Sequence, residues 1–192
     1  MIFAGLYNKT MYWAAHKHAE KYLAFISFIE SIFFPIPTAI MLAPMSVAKP
    51  DRAVRLAIIA TITSVAGGVL GYFVGAFAID LVQPLLVKVG YIDKYNIAVS
   101  WFNEWGFWAV IVAGFSPIPF KLFTLSAGAL SMSLLPFLFA ALIGRSAHFF
   151  MVSLLMAWAG PKLEPTVKKY IEWLGWLSVV LLIVGYFLLN NK

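Results

Sequence analysis

Long apolar runs separated by short polar stretches dominate the pattern of the chain. Five runs are long enough to be embedded in a membrane as helical segments, and they cover residues 22–48, 56–79, 106–130, 134–160 and 173–190. About 20 apolar residues span the hydrocarbon core of a bilayer when they form an α-helix. The pattern therefore predicts an all-α integral membrane protein.

Two stretches are more polar than these runs. Residues 1–21 are interrupted by polar side chains at positions 8–9 and 16–18 and lack the charged-then-apolar order of a cleavable signal peptide. We expect them to form an amphipathic helix on the membrane surface. Its apolar side would be supplied by Leu6, Tyr7, Met11, Trp13 and Ala14. Residues 80–105 carry several charges and amides, and we expect a peripheral connection with short helices there.

The motif Phe-x-Pro-Ile-Pro interrupts two of the apolar runs near their middle. Its prolines are Pro35 and Pro37 in the first copy and Pro117 and Pro119 in the second, 82 residues later. Proline removes a backbone donor and clashes with the preceding helical turn. Broken backbone at membrane depth is tolerated only where protein or a water-filled cavity covers it. We therefore expect both runs to break at these prolines and to fold back as re-entrant hairpins.

The two breaks fall in corresponding halves of the chain, which predicts an inverted repeat. Placing both hairpins as re-entrant puts one more Lys or Arg on a single side than full crossing does, as the positive-inside rule favours. Each hairpin would be followed by one spanning helix. The expected single membrane domain, 1–192, has five parts: a leader at 1–21, a first half at 22–79, the connection at 80–105, a second half at 106–160, and a loop with a final transmembrane helix at 161–192.

Composition narrows the classes of partner. Of the 192 residues, 62% are hydrophobic and only 11% are charged, well below the roughly 25% of soluble domains. The net charge of +6 suits anionic lipid headgroups, while the absence of a basic run argues against a nucleic-acid partner. Without cysteine there is no disulfide or Cys-based metal site. We expect no cofactor and no metal, and membrane lipids as partners.

Three ionisable residues lie deep within the apolar runs: Glu30, Lys121 and Arg145. A charge at the centre of a membrane helix costs roughly 2.5–3.5 kcal/mol, so such residues usually face a protein interior or a wet cavity. Two cations beside the open amides of a broken helix would suit a phosphate group. A buried ion pair that only fixes helix packing is the alternative. No group of residues indicates an enzyme.

Further candidates surround these three charges. Ser116 and Thr124, on either side of the second break, join Lys121 and Arg145 as candidate substrate-binding residues. Glu30 is a candidate proton carrier, because a poorly hydrated carboxyl group can bind and release a proton. His148 lies one helical turn after Arg145 and would couple protons with Glu30. A hydrogen-bonded packing histidine is the alternative interpretation.

Several stretches resemble the DedA family, also described as the SNARE-associated or VTT superfamily, and within it the small YqaA-like branch. The likeness rests on residues 28–37 (FIESIFFPIP) and 114–121 (GFSPIPFK), and it continues through 135–137 (LPF) and 143–145 (IGR). The family implies two opposed re-entrant hairpins in the bacterial inner membrane. By position, Glu30 would be its first essential acid, Lys121 its hairpin cation and Arg145 its helix arginine.

The resemblance implies a role in membrane homeostasis, since some members flip a polyprenyl phosphate carrier. We expect a lipid flippase or transporter for an anionic headgroup, either a polyprenyl phosphate or a phospholipid, coupled to protons. A scramblase, a small-ion or metabolite transporter and a non-transporting scaffold remain as alternatives, and a homo-oligomer is left open. One departure affects the coupling: the family's second acid is replaced here by Thr38-Ala39.

Overall fold

The computed structural model describes residues 2–16, 18–32, 37–88, 90, 92–116, 119–160 and 162. Within these ranges every regular element is helical. The helices are α1 (Ile2–Ala14), α2 (Ala19–Glu30), α3 (Ala39–Ala48), α4 (Ala53–Lys88), α5 (Ile92–Phe115), α6 (Phe120–Ala129) and α7 (Leu134–Gly160). The predicted all-α class is therefore confirmed for this part of the chain. The predicted final helix at 173–190 lies outside the described residues.

The leader helix is shorter than the sequence pattern predicts. It ends at Ala14, and α2 begins at Ala19, so the chain turns between them instead of continuing as one helix to residue 21. The Lys49 ammonium donates to the carbonyl of Ala15 at 2.7 Å, which satisfies an acceptor that the end of α1 leaves open. Glu20 lies in the first turn of α2, where a negative charge favours a helix start.

Helices α2 and α3 form a hairpin. At its open end, Glu20 near the start of α2 accepts from Arg55 at the start of α4, while Lys49 directly after α3 bonds back to the end of α1. At its closed end, Thr38 bonds to Glu30. With 12 and 10 residues, the two arms are only about 18 and 15 Å long, roughly half the thickness of a bilayer's hydrocarbon core.

Helices α5 and α6 form a second hairpin. The Tyr95 hydroxyl near the start of α5 donates to the carbonyl of Ala129 at the end of α6, at 2.7 Å. At the other end, α5 stops at Phe115 and α6 starts at Phe120. The arms are uneven, since α5 has 24 residues and α6 has 10.

The two long helices, α4 and α7, lie antiparallel. Arg145 bonds to Ser64 in the middle of α4, and Ser153, two turns further along α7, donates to the carbonyl of Ala53 at the start of α4. The bounds of α7 match the predicted run 134–160. Beside this pair, α2 runs in the same direction as α4.

Helix α4 continues well beyond the predicted run 56–79. Its 36 residues extend to Lys88 and are about 54 Å long, so residues 80–105 are mainly the end of α4 and the first half of α5. The turn between them contains Gly90 with φ +71°, a conformation that favours glycine. Residues 80–105 thus belong mainly to the ends of two long helices, where we expected separate short helices. Helices can continue into water, since polarity alone does not end them.

Glycines bring α4 and α6 into very close contact. A methyl group on Gly75 would lie 2.0 Å from the carbonyl oxygen of Leu125, and one on Gly128 would lie 1.8 Å from that of Tyr72. Backbone atoms cannot give way to such a group. Both glycines are therefore packing positions. On α4, Gly75 follows Gly68 and Gly71 at three- and four-residue spacing, which places the three on one face of the helix.

The outer surfaces of the long helices are apolar. By length and composition, Pro50–Leu85 and Leu134–Gly160 could each cross a membrane, and only 22% and 33% of their most apolar windows are buried. A core helix of a soluble protein would be mostly buried. The buried polar side chains lie inside instead: Ser27, Ser31, Thr38, Ser46, Thr61, Ser64, Thr124, Arg145 and Ser153. This distribution is typical of helices whose outer surface faces lipid.

Candidate functional site

Arg145, in the middle of α7, organises the polar interior. Its side chain is 5% exposed and pairs with Glu30, at the end of α2, with 3.3 Å between Nη2 and Oε2. Its Nε donates to Ser64 of α4 at 2.7 Å. Removing one partner of a buried pair typically costs 3–5 kcal/mol, because the other charge is left uncompensated. We call Glu30, Ser31, Thr38, Ser64 and Arg145 the central cluster.

A chain of hydrogen bonds leads from Arg145 to the backbone of α2. Ser64 accepts from Arg145, so its own hydroxyl proton is available for Ser31, whose oxygen lies 2.7 Å away. Ser31 in turn donates to the carbonyl of Ser27 at 3.1 Å. Because Ser31 gives its single hydroxyl proton to the Ser27 carbonyl, Ser64 is the donor in the bond between the two serines.

Glu30 joins the two arms of the first hairpin. Its Oε2 accepts from the backbone N–H of Thr38 at 3.2 Å and from the Thr38 hydroxyl in a short contact. Thr38 precedes the first residue of α3, so the carboxylate lies at a helix N-terminus, where a negative charge is stabilised. The Glu30 side chain is 20% exposed, which leaves this side of the central cluster partly accessible.

Two aromatic rings cover the Arg145 guanidinium. Its central carbon lies 5.1 Å from the ring centroid of Phe120, the first residue of α6, and 4.3 Å from that of Phe149 on α7. Both distances are within the range of cation–π attraction. Arg145 therefore contacts the closed ends of both hairpins, Glu30 from the first and Phe120 from the second.

His148 donates a hydrogen bond to a backbone carbonyl at the second break. In an uninterrupted helix the carbonyl of Phe115 would accept from residue 119, but Pro119 has no N–H. His148 supplies the missing donor, since its Nδ1 lies 2.9 Å from that carbonyl oxygen. This bond is the packing role that the sequence left as the alternative for His148.

The other predicted site residues are arranged as follows. Lys121 is half-buried and directly follows Phe120, while Ser116 is half-buried at the start of the second break. Thr124 is buried, donates to the carbonyl of Lys121 at 3.0 Å and packs on Gly71. It therefore belongs to the contact between α4 and α6 and not to the central cluster.

The four break prolines are only partly described. Pro37 and Pro119 are exposed and directly precede Thr38 and Phe120, the two break residues that contact the charged pair. Pro35 and Pro117 lie outside the described residues. The described prolines thus place a hydrogen-bonding residue in one break and an aromatic residue in the other.

Three participants could not be assigned from the sequence: Ser31, Ser64 and Thr38. Small hydroxyl residues are frequent in apolar helices, so their presence alone indicates little. The spacing of Ser27 and Ser31 by one helical turn and the position of Thr38 directly after the prolines are the only signals they carry.

The chain matches a known domain family. The VTT domain matches residues 34–158, about two thirds of the chain, including both described break prolines and Arg145. The chain belongs to the VTT-domain family. The resemblance to the DedA family is thereby confirmed. VTT-domain proteins are membrane proteins, which accounts for the apolar outer surfaces of α4 and α7. Glu30 lies four residues before the matched part.

Relatives match beyond the VTT domain. A Haemophilus influenzae protein is 48% identical over 99% of this chain and 99% of its own length, and a Histophilus somni protein is 48% identical over 98% and 99%. Both are described as uncharacterized. An alkaline phosphatase-like protein of Lactococcus lactis is 32% identical over 64% of this chain and 62% of its own length. No solved structure matches the chain.

Proposed function

We propose that the protein is a membrane lipid transporter, a flippase that moves the anionic headgroup of a polyprenyl phosphate or a phospholipid. The observation that carries this proposal is the buried ion pair between Arg145 and Glu30, located where a broken helix meets a long apolar helix. A buried charge pair is expensive to maintain for packing alone, because apolar residues of similar volume often stabilise as well or better. In membrane proteins such residues are commonly functional.

Arg145 is suited to exchange one anion for another. A guanidinium binds carboxylate and phosphate with similar geometry, and it can make two parallel hydrogen bonds to either. Phosphate would take the place of the Glu30 carboxylate while the rings of Phe120 and Phe149 stay on the guanidinium faces. Proton uptake by Glu30 would weaken its attraction to Arg145, and this would couple transport to a proton gradient.

The second break would supply the remaining headgroup contacts. Lys121 directly follows Phe120, whose ring contacts Arg145, so its ammonium is proposed as a second cation for phosphate. Ser116 is proposed as a hydroxyl ligand on the other side of this break. Thr124 would act indirectly, by holding the first turn of α6 against α4. His148 would hold the backbone of the break and affect proton coupling only through it.

We place the two hairpins as re-entrant elements of an inverted repeat in the bacterial cytoplasmic membrane. Opposite directions of the halves support this arrangement: α2 runs along α4, α4 is antiparallel to α7, and α5 runs along α7. The parallel direction of α2 and α4 follows from the bonds of Ser27 to the carbonyl of Ala60 and of Ser31 to Ser64. The short arms α2, α3 and α6, with 10 to 12 residues each, would leave the closed ends near mid-membrane, where transporter sites usually lie.

Transport by purified protein in liposomes tests the proposal. The assay follows a fluorescent phospholipid and a fluorescent polyprenyl phosphate, with and without a pH gradient. We expect one of the two lipids to move faster with the gradient, Glu30→Gln to abolish the gradient dependence and Arg145→Gln to lower the rate at least about tenfold, the effect of losing roughly 1.4 kcal/mol. Lys88→Gln, which removes an exposed cation at the far end of α4, should leave the rate unchanged.

Other outcomes would reject the flippase. Movement that is equal with and without the gradient would indicate a scramblase. If neither lipid moves, although the protein is folded and inserted, a small-ion or metabolite transporter or a scaffold becomes the better description. A parallel measurement of inorganic phosphate released from the lipids covers the activity that the name of the Lactococcus relative suggests.

A further inference from the structure

A groove of about 940 Å³ lies between α1 and the first hairpin, and its described lining contains no residue of the central cluster. Its walls are mainly apolar, with Trp13 from α1, Ile26 from α2, and Ile40, Met41 and Pro44 from α3. Trp13 and Ile40 are 65% and 64% exposed, so the groove opens outward. An apolar groove of this size on a membrane protein is a place for hydrocarbon.

The groove follows α3 over most of its length. It extends from Pro44, near the open end of the hairpin, to Pro37, directly before Thr38 at the closed end. Seven residues of helix correspond to about 10 Å. If the hairpin is re-entrant, the groove runs from the membrane surface towards the bilayer centre, parallel to the acyl chains of that leaflet.

Positive charge collects at the surface end of the groove. His16 lines the groove there and also lines a small adjoining pocket together with Lys49 and Arg52, while Lys9 is a further cation in the groove lining. Arg52 is half exposed, and its contact with Glu20 is long, at 3.4 Å. The described cations near this end are Lys21, Lys49, Arg52 and Arg55, and they outnumber the acids Glu20 and Asp51.

We propose that this groove binds one anionic phospholipid, with its phosphate at Lys9, His16 and Arg52 and an acyl chain along α3. Charge complementarity selects the headgroup, since basic side chains near a membrane surface attract anionic lipids. The position of the cations selects the orientation, because they lie at one end of the groove and apolar side chains line the rest. This site is separate from the Arg145–Glu30 pair and does not depend on which substrate is transported.

A peptide would fit the groove poorly. The walls are mainly helical and offer few open backbone groups, chiefly the Ile40 carbonyl whose helical donor is replaced by Pro44. An extended segment would therefore bury most of its own N–H and C=O groups without partners. An acyl chain has no such groups. A lipid therefore matches both the apolar walls and the charged end.

Photolabelling with lipids tests the site. The full-length protein is reconstituted in vesicles of phosphatidylcholine and phosphatidylglycerol that contain a trace of phosphatidylglycerol with a diazirine in its acyl chain, and labelled peptides are mapped by mass spectrometry. We expect adducts concentrated on the groove residues of α1 and α3. Ile40→Trp, which fills the groove, should lower this labelling several-fold, whereas Ile62→Trp on the exposed side of α4 should not.

Headgroup selection is tested with a second pair of variants. The double variant Lys9→Gln with Arg52→Gln should lower labelling by the phosphatidylglycerol probe several-fold and leave labelling by a phosphatidylcholine probe unchanged. Lys88→Gln is the charge-matched control and should change neither. The proposal is overturned if both probes label the groove equally, if adducts spread evenly over the apolar surface, or if a photo-crosslinking residue at Ile40 reacts with protein instead of lipid.

Discussion

The two hairpin breaks share a backbone motif but differ in their chemistry. The residue five positions before the first proline of the motif is Glu30 in the first break and Val112 in the second, and the residue after the last proline is Thr38 in the first and Phe120 in the second. The first break thus supplies an acid and a hydroxyl that bond to each other. The second supplies an aromatic ring, and Arg145 contacts both.

This difference indicates one shared site instead of two equivalent ones. A symmetric repeat would place an acid at each break and an arginine opposite each acid. Here the single guanidinium lies between a carboxylate and an aromatic ring, so the two breaks contribute complementary halves to one site. The first half carries a charged side chain, while the aromatic half does not.

The second arms of the hairpins are also held differently. Helix α6 packs on α4 through the glycines, with backbone against backbone. Helix α3 is held against α7 by a hydrogen bond of 2.7 Å between Ser46 and Ser153 and by contact between Val47 and Gly160. We therefore expect α6, and with it the second hairpin, to be a rigid part of the scaffold and α3 to be the arm that is easier to displace. Helix α2 is itself close-packed on α4, since a methyl group on Gly67 would lie 2.1 Å from the carbonyl oxygen of Phe28.

The largest expected effect concerns the rigid hairpin. Gly128→Ala would place a methyl group 1.8 Å from the carbonyl oxygen of Tyr72, which forces α6 away from α4. We expect loss of most folded protein, measured as the monodisperse fraction in detergent and as the melting temperature from tryptophan fluorescence. Gly5→Ala is the matched control, because a methyl group there has open space. Normal folding of the Gly128 variant would show that α6 is not fixed as described.

Sequence alone identifies the site residues that are energetically costly within an apolar membrane segment. Prolines within an apolar run and charges within a membrane segment are both costly, so Pro37, Pro119, Glu30 and Arg145 stand out without any structure. Hydroxyl residues carry no such cost, because a helix carbonyl can satisfy them. The pairing of Ser64 with Arg145 depends on how helices 81 residues apart pack.

The ends of some helices also could not be predicted from the sequence. The apolar pattern locates membrane-embedded residues, so it finds both ends of α7 but not the nine residues by which α4 continues past residue 79. Similarly, the leader pattern persists past the end of α1 at Ala14, since the end of a helix need not interrupt an amphipathic sequence. Hydrophobic periodicity indicates the environment of a helix, but it does not indicate where the helix ends.

A smaller effect is expected from the Arg145–Glu30 pair, and it directly tests how the two breaks differ. Arg145→Gln leaves the Glu30 carboxylate without its cation and should lower stability by about 3 kcal/mol, the lower end for buried pairs because Glu30 is 20% exposed. Adding Glu30→Gln should recover part of the loss, with a coupling energy of roughly 1–3 kcal/mol between the two sites. Denaturation of the single and double variants measures it.

Val112→Ala at the equivalent position of the second break is the control for this cycle. Val112 is 59% exposed, so the change should stay within about 0.5 kcal/mol. Additive losses in the double variant would mean that Arg145 and Glu30 do not stabilise each other. A large loss at Val112 would mean that the two breaks are more alike than their side chains indicate.

The smallest effect is expected at the second break, where His148 compensates for the missing N–H of Pro119. His148→Phe keeps the ring but removes the donor to the Phe115 carbonyl, and it should cost about 1 kcal/mol, or roughly 2–4 °C in melting temperature. His148→Gln retains an N–H of similar reach and should recover most of that loss. If His148→Phe melts like the unchanged protein while His148→Gln is destabilised, the hydrogen bond contributes nothing and the ring's packing against Phe149 is the reason for a histidine here. If only His148→Phe is destabilised, the second break depends on a single hydrogen-bond donor, in contrast to the ion pair that holds the first.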